Sequence, residues 1–189
     1  MKSGEWTLVK TGLVAGLTAL AAITTMVIRV PIPATTGYFN IGDVFVIFAG
    51  LWLGPVAGLI VGAIGPTIAD VIGFPIFVPA TLITKGLEGW LVGLIGGASS
   101  NFGTKVVAAA VGGITMVIGY FIFEAFIYPA VGERIPMFAV TDIGAAIVEL
   151  VPNSIQAAVG AVGGLALWRV VAGSARQEPM TPRSSGSQT

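Results

Sequence analysis

Seven ionisable residues interrupt apolar stretches of this chain: Asp43, Asp70, Lys85, Glu88, Glu124, Asp142 and Glu149. Lys85 and Glu88 stand at i, i+3 within PATLITKGLEGWLVGLIG, a segment otherwise suited to hydrocarbon, and can pair on one helical face. Glu149, Asn153 and Gln156 follow i, i+4, i+7 spacing and share a face that Gly160 and Gly163 continue. An ionisable group near a bilayer centre costs about 3 kcal/mol or more, so these faces turn toward protein or a wet cavity. The chemistry on offer is recognition. A lysine suits a carboxylate, phosphate or carbonyl, and the two amides present donors and acceptors to a heterocycle.

The chain has no His and no Cys, which removes imidazole bases, thiolates, disulfides and ordinary zinc or haem ligation. No metal site is expected. Of 189 residues, 55% are hydrophobic and 10% charged, and the mean hydropathy is +0.95, a profile that assigns the chain to the polytopic membrane proteins. Zero net charge and the lack of a basic stripe argue against nucleic acid. The first apolar segment reads as a retained span, since no small-residue cleavage site followed by a polar domain closes it.

The elements that must position these groups are membrane helices of about 20 residues. Candidates run from Trp6 to Ile28, Pro79 to Gly97, Val106 to Tyr128 and Ala145 to Val171. Gly42 to Ile72 is one long helix or, broken at Gly54-Pro55, two shorter ones. Positive charge decides. With six spans and a cytoplasmic start, Lys2, Lys10, Lys105, Arg169, Arg176 and Arg183 lie inside, and only Arg29 and Arg134 outside. Five spans divide them less one-sidedly. The expectation is therefore an all-α integral membrane protein of the cell membrane: a six-transmembrane-helix bundle over 1-175, both termini cytoplasmic. Residues 176-189 form a polar tail expected to be disordered.

In this topology all seven ionisable residues fall in the outer half, beneath loops that carry Phe39, Asn40 and Asp43 on one side and Phe77 on another. A pocket open to the outside explains that one-sidedness. The competing structural reading has Lys85 and Glu88 neutralising each other, and Asn153 and Gln156 tying helices together. Phe39, Phe77 and Tyr120 could stack on a ring or simply anchor at the interface. The substrate-binding candidates are thus Lys85, Glu88, Glu149, Asn153 and Gln156, with Asn40, Asp43, Glu124, Tyr120, Phe39 and Phe77. Small residues Gly12, Ala15, Gly16, Ala19 and Ala22 give the first span a face fit for close approach by another helix, whereas similar spacing at Gly58 and Gly62 or Gly89 and Gly93 suits internal packing.

The stretches FNIGDVFVIFAGLWLGPVAGLIVGAIG, PATLITKGLEGWLVGLIG and PNSIQ together resemble the substrate-binding membrane subunits, or S components, of energy-coupling factor (ECF) transporters, riboflavin-type branch. The resemblance extends to about Arg169. It implies a six-helix bundle that binds riboflavin or another vitamin near its extracellular face and topples in the membrane to deliver it. Toppling would be driven by a transmembrane coupling protein and two cytoplasmic ATPases. It also implies that Ala15-x-x-x-Ala19 docks on the coupling protein, and it matches Lys85 to Gly89 and Asn153-x-x-Gln156 to the family's K-G-L-E-G and Asn-x-x-Gln. The chain itself is expected to be no enzyme and carries no phosphate-cradling G-x-x-x-x-G-K-[ST] loop. Two other classes stay open: a stand-alone secondary or facilitative transporter, which would need acidic residues through the full membrane depth, and an intramembrane enzyme using Glu124 and Glu149.

Overall fold

The computed structural model describes residues 7–32 and 35–175, so Lys2, Arg176, Arg183 and the 176-189 tail lie outside the described residues. Helix α1, Leu8–Val27, starts where the Thr7 hydroxyl accepts the Lys10 N–H at 3.2 Å. An antiparallel ribbon follows, β1 Arg29–Pro31 and β2 Tyr38–Asn40, in the register Arg29↔Asn40, Val30↔Phe39, Pro31↔Tyr38. The expected all-α fold is corrected to this extent. Helix α2 is Asp43–Leu53 and α3 is Pro55–Gly73. Between them Gly54 sits at φ 92°, a left-handed conformation open to glycine, and Pro55 occupies the first turn of the next helix. The Gly-Pro break therefore makes two helices.

A short turn of 3-10 helix, Pro75–Phe77, leads into α4, Val78–Gly96. Helix α5, Phe102–Ile122, is capped by Asn101, whose Oδ1 accepts the Gly103 N–H at 2.7 Å. It continues without interruption through a π-helical turn, Phe123–Ile127, into α6, Tyr128–Gly132. Helix α7, Ile143–Ala175, begins where Asp142 Oδ1 accepts the Ala145 N–H at 2.8 Å. Among the described residues, five helical segments are long and apolar enough to cross a membrane: Leu8–Val27, Pro55–Gly73, Pro75–Gly96, Phe102–Gly132 and Ile143–Ala172. Helix α2, also apolar, has 11 residues and so measures about 16 Å.

Glycine sets how closely these helices meet. A Cβ on Gly58 would run into the backbone of Gly89, and one on Gly89 into the backbone of Gly58, so α3 and α4 touch main chain to main chain. Gly50 of α2 meets the same stretch of α4. The contrast with α1 is sharp: a Cβ on Gly12 or Gly16 meets nothing within 4 Å, and Ala15 and Ala19 beside them are exposed. Ala22, grouped with them by spacing, is buried instead because α3 crosses α1 there, with Gly65 packed on Ala21 and the Ala22 backbone.

Polarity is arranged inside out. Val151, Val162 and Ile147 face outward, while Asp43, Asp70, Lys85, Glu88, Glu124 and Glu149 are buried. The ribbon and the turns at Pro75–Phe77 and Pro136–Phe138 gather at one end of the bundle, here the ribbon end; the Gly54 turn and the α4–α5 link lie at the other. The span expected to begin at Val106 starts earlier, at Phe102, so that Lys105 is buried within α5. Its Nζ donates to the Leu51 carbonyl at 2.6 Å and lies 4.7 Å from the Trp168 ring centre, closing the end of α2 where backbone acceptors have no helical partner.

Candidate functional site

Helix α7 supplies the floor of the site through its i, i+4, i+7 stripe. Glu149, Asn153 and Gln156 point inward and meet Asn40 of β2, Phe77 of the 3-10 turn, Thr81 at the start of α4, Tyr120 toward the end of α5 and Glu124 of the π-helical turn. Together with Gly37 and Tyr38 they enclose a cavity of about 20 Å³, room for a water molecule rather than a ring. Seven of the residues expected to bind substrate thus converge: Asn40, Phe77, Tyr120, Glu124, Glu149, Asn153 and Gln156. Gly37, Tyr38 and Thr81 join them and were not among the residues expected to bind substrate.

Four candidates lie elsewhere. Phe39 points away from the cavity because successive residues of a strand face opposite sides, and its neighbours Tyr38 and Asn40 take the inner face. Asp43, Lys85 and Glu88 form a buried ionic layer behind the cavity wall. Lys85 makes a short ion pair with Asp43 Oδ1, and its Nζ stands 3.5 Å from Glu88 Oε2. The expected Lys85–Glu88 pairing is present, yet Asp43 is the nearer partner. Lys85 Nζ also lies 5.6 Å from the centre of the Tyr120 ring, which itself lines the cavity.

A chain of hydrogen bonds links this layer to the cavity. Gln156 Nε2 donates to Asp43 Oδ2 at 2.9 Å, and Gln156 Oε1 accepts from the Asn40 backbone N–H at 2.9 Å and from Asn40 Nδ2 at 3.2 Å. Asn40 Oδ1 accepts the Gly42 N–H at 2.9 Å. One amide thereby satisfies non-helical backbone at a depth where water is scarce, and ties the ribbon, α2 and α7 into one unit. Asn153, on the same stripe, makes no side-chain hydrogen bond among the described residues and leaves its amide to the cavity.

The rim is aromatic. Tyr38 donates a short hydrogen bond to Asp70 Oδ1 and packs against Phe74 at 4.6 Å between ring centres. Arg29 lies 4.8 Å from both rings and donates through Nη2 to the Ala69 carbonyl at 3.2 Å. The Thr81 and Tyr120 hydroxyls share a hydrogen bond of 2.7 Å, and the Tyr128 hydroxyl accepts the Ala80 N–H at 3.2 Å, a first-turn donor of α4. Phe77 meets Tyr120 edge to face at 6.5 Å.

Two carboxyl groups stand apart from these networks. Glu124, in the π-helical turn, is buried against the Glu149 carboxyl, and among the described residues no other group donates to either Glu124 oxygen or to Glu149 Oε1. The two carboxyls lie within hydrogen-bonding reach of each other, and Glu149 also lies within reach of the Thr35 hydroxyl and the Gly37 N–H. A π turn inserts an extra residue and re-aims the side chains around it, a device frequent at functional sites. Gly37 lies on the Glu149 carboxyl, where any Cβ would overlap it, so the ribbon's connecting loop seats directly on that group. Asp142, ranked with Glu149 from sequence as an outer-half acid, is instead an exposed helix cap.

The arrangement offers buried amides, carboxyls, hydroxyls and ring faces around one small space, a binding chemistry. Among curated proteins, an uncharacterised protein from Pyrococcus woesei is 42% identical over 98 residues, covering 52% of this chain and 66% of the relative. The family model described as "ECF-type riboflavin transporter, S component" matches residues 5–172, which take in every element from α1 to nearly the end of α7. The chain belongs to the family of S components of ECF-type riboflavin transporters.

Proposed function

We propose that this chain is the ligand-capturing membrane subunit of an ECF-type importer, taking a vitamin or related heterocycle from the extracellular side at the ribbon end. The observation that carries the reading is the convergence of Asn40, Tyr120, Glu124, Glu149, Asn153 and Gln156, from four separate elements, on one cavity at that end. Riboflavin is the first ligand to test. Its isoalloxazine would lie against Phe77 and Tyr120, with Asn153 free to bond its polar edge.

Six crossings with both termini cytoplasmic fit this reading. Lys10, Lys105 and Arg169 occupy the end opposite Arg29 and Arg134, which is the positive-inside pattern. The second crossing is composite. Its helical part, α2, reaches about 16 Å. The strand residues Tyr38–Asn40, at about 3.3 Å each, add about 10 Å, and the two parts together approach a hydrocarbon core of about 30 Å. Energy for release would come from a coupling membrane protein and two ATPases, with Gly12, Ala15, Gly16 and Ala19 of α1 as the open docking face. Toppling of the loaded bundle would then carry the ligand inward.

Native mass spectrometry of the gently purified chain, together with quenching of flavin fluorescence on titration, tests the reading. A bound vitamin-sized heterocycle, lost in Asn153→Ala while the protein stays folded, is the expected result. Unchanged binding in Asn153→Ala and Gln156→Ala would remove this cavity as the site. Uptake into vesicles containing this chain alone would favour a stand-alone transporter.

A further inference from the structure

The charges buried toward the ribbon end do not balance. Asp43, Asp70, Glu88, Glu124 and Glu149 are each 3% exposed or less, and against these five carboxyls stand two cations, Lys85 and Arg29. The formal surplus is three negative charges. Neither cation lines the cavity: Lys85 is taken up by Asp43 and Glu88, and Arg29 by the Tyr38 and Phe74 rings and the Ala69 carbonyl. The cavity itself is lined by Glu124 and Glu149 and by no positively charged side chain.

Among the described residues Glu124 and Glu149 are each other's hydrogen-bonding neighbours, with Thr35 and Gly37 beside Glu149, and neither forms an ion pair with a cation. Unpaired buried carboxyls are costly, and in proteins such groups normally meet a counter-charge or donors. Sharing one proton between the two acids would lower their repulsion yet still leave acceptor positions facing the cavity. The sequence alone suggests Lys85 as a partner for an anionic ligand group; its two carboxylate neighbours remove that option.

We infer that the site takes a ligand presenting positive charge or N–H and O–H donors to Glu124 and Glu149, and rejects ligands of similar size that carry a carboxylate or phosphate. This rests on the reading of the cavity as the binding site. It deepens that reading by setting the charge class of the ligand.

The test is a matched series on one ring system: riboflavin, its phosphate ester flavin mononucleotide, and an isoalloxazine whose side chain ends in an ammonium. Thiamine and biotin serve as a second pair, one a cation and the other a carboxylate. Affinities are measured on the full chain in detergent, by fluorescence quenching for the flavins and thermal stabilisation for the pair. The expected order places the ammonium compound and riboflavin at least about tenfold tighter than the phosphate ester, a 1.4 kcal/mol step, with thiamine stabilising more than biotin. Glu124→Gln and Glu149→Gln, each removing one acid at nearly constant shape, should narrow that gap to about threefold or less.

Phosphate ester binding as tightly as riboflavin, while Asn153→Ala still abolishes it, overturns the charge inference and leaves the site reading intact. Binding of every probe that is indifferent to Asn153→Ala and Gln156→Ala overturns both. A series in which no probe binds, or in which the two glutamine variants keep the wild-type gap, also overturns the inference.

Discussion

Replacing Lys85 by Met separates the two roles a buried lysine could have here. The side chain is 1% exposed, and its partners Asp43 and Glu88 are both fully buried. At 3.5 Å and an effective dielectric constant of about 20, attraction between Lys85 and Glu88 is about 5 kcal/mol, with a similar or larger contribution from Asp43. Met fills nearly the same volume, so packing changes little and the loss is electrostatic. Two carboxylates then remain in a dry interior with no cation between them. Removing one partner of a buried pair costs roughly 3–5 kcal/mol, and for a chain of this size that corresponds to a fall in Tm of roughly 10 °C. Pairing Lys85→Met with Asp43→Asn removes one of the stranded charges, and the amide introduced there keeps an acceptor for Gln156, so about half or more of the stability should return. The assay is thermal unfolding of detergent-purified protein, followed by ligand titration on whatever remains folded. The double variant should bind ligand within a few-fold of wild type, because neither side chain lines the cavity. A Lys85→Met protein that keeps the wild-type Tm and loses ligand binding would refute the reasoning and make Lys85 a ligand contact.

Three further outcomes are expected. Gly58→Ala or Gly89→Ala forces α3 and α4 apart where they touch through backbone, costing about 1–3 kcal/mol or more in thermal stability, whereas Gly12→Ala, in open space, changes Tm by less than about 1 °C. Gly37→Val pushes the ribbon's connecting loop off the Glu149 carboxyl, so ligand dissociation measured by stopped flow should quicken about tenfold with little change in Tm. Ala15→Leu or Gly16→Leu on the open face of α1 should leave ligand affinity unchanged and prevent co-purification with a coupling protein and its ATPases; retained co-purification places the docking face elsewhere.

Helix positions and the α7 stripe were legible in the sequence because they rest on local periodicity. Glu149, Asn153 and Gln156 share a face by spacing alone, and Gly54-Pro55 breaks a helix by its own backbone preferences. The Lys85–Asp43 pair was not legible: helical spacing points only to Glu88, three residues on, while Asp43 is 42 residues away and reaches Lys85 only when α2 packs on α4. Lys105 illustrates the same limit. A charge next to an apolar run reads as lying outside the span, unless a carbonyl such as that of Leu51 and a ring such as Trp168 await it inside. Tyr38 and Thr81 carried a weak signal, since a phenol and a hydroxyl suit many environments. The ribbon escaped notice because three-residue strands are too short for alternation to declare itself.

The hydrogen bond from the Asn40 backbone to Gln156 Oε1 joins residues 116 positions apart. During synthesis, the ribbon and α2 emerge long before α7, and the non-helical residues of the ribbon carry polar main-chain groups that hydrocarbon will not accept alone. The early chain therefore holds the Asn40 main-chain N–H without this acceptor until the last helix arrives. Closure of the ribbon onto the bundle and formation of the cavity are then one event, because both wait for Gln156.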